Sequence, residues 1–88
     1  MQVNDTLNER GKRYGEFSEH AAISQNLKAI MTSQPGWYDL TASQRESLEM
    51  IAHKIARILN GDPNYADNWH DIAGYATLID LQLQGDDK

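Results

Sequence analysis

Apolar residues fall at helical spacing along two long stretches in the second half of the chain. In the first, Leu48, Ile51, Ala52, Ile55, Ile58 and Leu59 recur at steps of three and four, which places them on one face of an α-helix. In the second, Tyr65, Trp69, Ile72, Ala76, Ile79 and Leu83 do the same. Asn60-Gly61-Asp62-Pro63 stands between them as a hard stop, with glycine expected to end the first helix. Two such stripes joined by a loop of a few residues predict an antiparallel hairpin, because neither buries its apolar face alone.

The remaining pattern attaches further elements to that hairpin. Thr6-Leu7-Asn8-Glu9 has the form of a capping box and predicts the start of a short helix, which runs into the glycine-weakened stretch Arg10-Gly11-Lys12-Arg13-Tyr14-Gly15. A second helix is expected from Phe17 to about Thr32, with Phe17, Ala21, Leu27, Ile30 and Met31 turned toward the hairpin. Gln34-Pro35-Gly36 ends it, and Trp37, Tyr38 and Leu40 follow in a loop that reads as a plug over the bundle end. Thr41 and Gln44 form a second capping box, and Asn64 is the expected cap of the last helix. Gly74, inside that helix, predicts close approach of another backbone. The fold class is therefore all-α: an antiparallel helical hairpin with an N-terminal helix packed across it, residues 1–88 forming a single small helical bundle.

Composition narrows the function classes. A chain of 88 residues builds a small core, so self-association is expected, with Trp37, Tyr38, Leu78 and Leu81 as apolar side chains left outside the main stripes. The absence of cysteine removes disulfides and thiolate metal sites and fits a reducing compartment. No apolar run approaches the roughly 20 residues of a membrane helix, and the first residues lack a signal-peptide pattern, so the expected location is the cytoplasm. A net charge of -5 argues against general nucleic-acid binding but leaves room for a small anionic ligand at one basic site.

Two constellations carry candidate chemistry. Arg10, Lys12 and Arg13, three of the eight basic residues, lie beside Gly11 and Gly15, a composition suited to a phosphate approached by backbone N–H groups and cationic side chains. The competing reading is a solvated turn facing Asp5, Glu9, Glu16 and Glu19. Lys54 and Arg57 extend the cationic set, and Tyr14 or Trp37 offers a stacking surface. The second constellation is acidic: Glu46, Glu49 and His53 form a polar edge on one arm of the hairpin, opposite Asp71 on the other. If they converge, hard oxygen ligands with one imidazole suit Mg²⁺ or Mn²⁺; otherwise they make ordinary pairs along a solvated helix face.

The stretch from Ser47 to Pro63, with Asp67-Asn68-Trp69-His70-Asp71-Ile72-Ala73-Gly74-Tyr75-Ala76 and the N-terminal Glu9-Arg10-Gly11-Lys12-Arg13-Tyr14-Gly15-Glu16-Phe17, resembles a small uncharacterised family common in phage and prophage genomes. That family in turn is faintly similar to the MazG-like all-α nucleoside triphosphate pyrophosphohydrolases, whose helices carry Glu-x-x-Glu and Glu-x-x-Asp around magnesium. Glu46-Ser47-Leu48-Glu49 matches the first motif. Asn68-Trp69-His70-Asp71 matches the second with asparagine in place of glutamate, which removes one charge from a Mg²⁺ site. Glu46 also falls away from the apolar stripe that a metal ligand in a bundle should border.

Three function classes follow. The leading one, implied by the resemblance, is a phage-type nucleotide-binding protein that sequesters a nucleotide signal used in host defence without hydrolysing it. Its ligand set is Arg10, Lys12, Arg13, Tyr14, Trp37, Lys54 and Arg57. The second is a Mg-dependent nucleotide pyrophosphohydrolase with Glu46, Glu49, His53 and Asp71 around the metal. The third is an inhibitor that binds a host protein.

Overall fold

The computed structural model describes residues 3–85. Four α-helices follow one another, α1 (Val3–Tyr14), α2 (Phe17–Thr32), α3 (Ala42–Asn60) and α4 (Ala66–Leu83), with a short 3-10 helix at Pro35–Asp39 between α2 and α3. There is no strand among the described residues. The molecule is an all-α bundle in which α3 is central, flanked by α4 and α2, while α1 lies against α2 and α3 with a smaller contact. None of the described helices is long and apolar enough to cross a membrane.

The expected start of α3 is present in full. The Thr41 hydroxyl accepts from the Gln44 backbone N–H at 3.1 Å, and the Gln44 side-chain oxygen accepts from the Thr41 N–H at 2.9 Å. Its stop at Gly61 has a different cause from the one anticipated. Gly61 has φ −125°, so left-handed backbone is not what requires glycine there. The end of α1 passes so close that a Cβ on Gly61 would collide with the Arg13 carbonyl and the Tyr14 backbone.

The N-terminal region corrects the expectation of a relaxed basic turn. The helix runs from Val3 through Gly11 to Tyr14, and Thr6 lies inside it. Gly15, at φ 77°, is the residue that ends the helix, its N–H donating to the Gly11 carbonyl at 2.9 Å. An Arg13–Glu9 ion pair one turn apart supports the last turns and offsets part of the cost of Gly11. Arg10, Lys12 and Arg13 are thus fixed at helical spacing.

Three smaller expectations also change. Tyr65, without a side-chain cap, precedes α4, and Asn64 serves the turn instead, its N–H donating to the Asp62 carboxylate at 2.9 Å. Nothing approaches Gly74 within 4 Å of where its Cβ would stand. Trp37, Tyr38 and their neighbours form the 3-10 helix, held by Arg45, which donates to the carbonyls of Trp37 and Tyr38 at 3.1 Å each.

The interior is small and unusually polar. Ala52 and Ala56 are the buried apolar residues among those described, and His20, Ser24, Ser47, Lys54 and Asn68 are buried with them. Small side chains on α3 let α2 come close, and α2 turns His20 and Ser24 inward while Phe17 and Ile30 remain exposed. The apolar stripes of the hairpin are split in the same way. Ile51, Ile58, Ile72 and Ile79 are half-buried, whereas Leu48, Leu59, Trp69 and Leu83 stay exposed.

A candidate anion-binding site

The end of α1, the start of α2 and the last turns of α3 meet at one corner because Asn60 clasps them. Its side-chain amide donates to the carbonyls of Tyr14 and Glu16 at 3.1 Å each, and the Asp62 N–H donates to the Arg13 carbonyl at 2.7 Å. Helical spacing then does the rest. Arg10 and Tyr14 share a face of α1, His53 and Arg57 share a face of α3, and Phe17 and His20 share a face of α2.

Arg57 is the hub. Its guanidinium carbon lies 4.1 Å from the centre of the Tyr14 ring, with the Arg10 guanidinium 5.5 Å from the same ring. Its Nε is buried and has no hydrogen-bond partner. Neither Arg10 nor Arg57 forms an ion pair with a described carboxylate. Beside them, the rings of His20 and His53 meet edge to face at 5.2 Å, and Phe17 stands 5.1 Å from His20. Both nitrogens of His20, a residue only 4% exposed, lack a partner.

The electrostatics of this corner are one-sided. Burial, then the Arg57 charge, then Arg10 hold the His20 pKa below the usual imidazole value. His53 is pushed down to about 4 by burial first, followed by Arg57, His20, Lys54 and Lys28. No carboxylate acts on either ring in the opposite direction. A chain of net charge -5 therefore keeps a local excess of cations, with desolvated donors, at one place. Next to the corner, sharing Arg10 and Phe17 with it, a cleft of about 500 Å³ lies between α1 and α2, lined also by Leu7, Gly11, Gly15 and the Glu16 carboxylate. That volume is in the range of small-molecule sites, about 300–1,000 Å³.

The other anticipated ligand residues are distributed around it. Arg13 pairs with Glu9 and lies 5.0 Å over the Tyr65 ring, which meets Tyr14 at 6.0 Å, so it borders the corner. Lys12 is exposed on α1. Lys54 is buried and directs its ammonium to Asp71 at 2.9 Å. Trp37 packs beside Arg45, twelve residues from Arg57 and thus about 18 Å away along α3.

The acidic set does not gather. Among the described residues no three of His, Asp and Glu stand where they could share a cation. Glu46 borders a groove with Tyr75 and Leu78, and Asp71 is held by Lys54, whose hydrogen bond first and charge second lower its pKa. His53 faces His20 and Arg57 instead of carboxylates. This surrounding of cations does not fit Mg²⁺ or Mn²⁺. His20 was not anticipated from the sequence. Its signal was positional: His20, Ser24, Leu27 and Met31 make a helical stripe whose first two members are polar and buried.

No curated protein and no solved structure matches the chain. The chain belongs to the family described as Domain of unknown function (DUF6378), which it matches over residues 2–82.

Proposed function

We propose that the protein binds a small anionic ligand, a nucleotide, at the corner formed by Arg10, Tyr14, His20, His53 and Arg57. The observation that carries this reading is Arg57, a half-buried residue with a buried Nε left without a partner and with no ion pair to a described carboxylate. A desolvated cation without a counter-ion is costly unless an anion completes it. Arginine presents the planar donor fork that suits a phosphate, and Arg10 adds a second one from α1. The base would lie in the cleft between α1 and α2, against Phe17, a ring 77% exposed in the free protein.

The same geometry supports binding without hydrolysis as the reading. Asp71 is engaged by Lys54, and the imidazole of His53 is surrounded by cations, which weighs against either of them serving a metal-activated water. The faint likeness to MazG-like enzymes then concerns the helical scaffold and the nucleotide, and the setting we propose is a phage protein in the host cytoplasm that sequesters a nucleotide signal. Calorimetric titration with nucleoside mono-, di- and triphosphates, with and without Mg²⁺, tests this. The expected result is saturable binding independent of Mg²⁺, without pyrophosphate release, and weakened about tenfold to a hundredfold by Arg57→Leu. Steady pyrophosphate release abolished by Asp71→Asn would overturn the reading in favour of an enzyme, and absence of binding across the panel would favour a host-protein partner.

A further inference from the structure

We propose that the exposed apolar face of the α3–α4 hairpin is the interface with a second copy of this chain, the two hairpins closing into a four-helix bundle. Trp69, Ile72, Ala76, Ile79 and Leu83 repeat at alternating steps of three and four along α4, and Leu48, Ile51, Ile55 and Ile58 do so along α3. This is the spacing of a heptad seam. Within one chain the seam is half used. Ile51 and Ile58 of α3 and Ile72 and Ile79 of α4 are half-buried, while Leu48, Trp69 and Leu83 are 40%, 55% and 73% exposed. Between the two rows runs an apolar groove of about 330 Å³ lined by Leu40, Leu48, Ile51, Ala76 and Ile79 among others.

The face carries no charge at these heptad positions, and Glu46, His53, Arg57 and Asp71 occupy other positions on the same two helices. The chain exposes 6138 Å², against about 5,200 Å² for a compact monomer of 10.0 kDa. The surplus of the whole chain, about 900 Å², is of the order of the roughly 800 Å² per partner of a standard interface, and Leu48, Leu59, Trp69, Leu78 and Leu83 on α3 and α4 are among the large apolar side chains left exposed. The radius of gyration, 14.9 Å against about 12 Å for a compact chain of this length, describes the same open shape. A second copy supplies an identical pair of heptad rows, and a two-fold axis through the groove sets each hairpin on the other. This interface does not involve the Arg10–Arg57 corner, so it stands or falls apart from the ligand.

Sedimentation of the full chain tests it, together with Leu59→Glu and Leu83→Lys, both at residues exposed in the monomer. The parent is expected at twice 10.0 kDa at micromolar concentration. Each variant is expected to keep its helical circular dichroism and to dissociate at concentrations about a hundredfold higher. Ala76→Glu, on the same face, replaces either variant that loses its helical signal. A monomeric parent overturns the proposal, and so do helical variants that remain as tightly associated as the parent.

Discussion

The guanidinium of Arg57 lies 4.1 Å over the ring of Tyr14, joining the C-terminal end of α3 to the C-terminal end of α1. The two residues are 43 positions apart, and their contact turns two basic segments that are separate in the sequence into one site. It also explains how a cation is kept there without an ion-paired carboxylate: the electron-rich face of the ring compensates part of its lost hydration.

The contact depends on the Asn60 clasp. Asn60→Ala removes two hydrogen bonds to the carbonyls of Tyr14 and Glu16 and should lower stability by about 1–3 kcal/mol in urea denaturation. Gly15→Ala should cost at least as much, since φ is 77° and the added Cβ would strike the Asn60 carbonyl and side chain. Gly11→Ala, with open space around the Cβ and helical backbone, should instead stabilise the protein by about 0.5–1 kcal/mol.

The helices themselves are legible in the sequence, and the site only in part. The capping box at Thr41 and the start and end of α2 at Phe17 and Thr32 follow from local rules, and the structure has them where those rules put them. Gly11 misleads because helix propensity is a weak prior against an Arg13–Glu9 pair and the packing of Tyr14. Arg10, Tyr14 and Arg57 are recognisable as candidates by residue type, but their meeting depends on Asn60 reaching across 44 and 46 residues, which no local pattern records. The acidic edge looks persuasive by spacing alone. Its convergence fails because Lys54, an apparent member of the ligand set, takes Asp71 for itself.

That ion pair makes an asymmetric prediction. Lys54 has a side chain only 11% exposed, whereas Asp71 is 42% exposed. Asp71→Asn leaves a desolvated ammonium without its counter-charge and should lower the melting temperature clearly. Lys54→Met frees a carboxylate that water reaches and fills the ammonium's space with a thioether, and should cost less. Melting curves of the two variants check the order.

Stability should fall on acidification. An unfolded histidine titrates near 6.5, while His53 in the folded protein titrates at about 4 and His20 is also lowered. Between those values the unfolded chain binds more protons, so the histidine contribution to stability is lost from about pH 7 down to about pH 4, and below that Asp71, whose carboxyl is held below its usual range, continues the decline. Arg57→Leu removes the largest charge acting on both rings and should move the decline to higher degrees of tolerance, that is, flatten it. Urea midpoints across this pH range read the effect.

Histidine resonances test the central claim most directly, because the three imidazoles divide cleanly. His20 and His53 lie in the cationic corner, whereas His70 is exposed on α4 beside Asp71 and Gly74. Titration with inorganic tripolyphosphate, followed by NMR, should shift the ring signals of His20 and His53 and raise the His53 pKa above about 4, while His70 stays in place. Rings of His20 and His53 that do not respond at millimolar anion, or a response confined to His70, would contradict an anion site at Arg10, Tyr14 and Arg57.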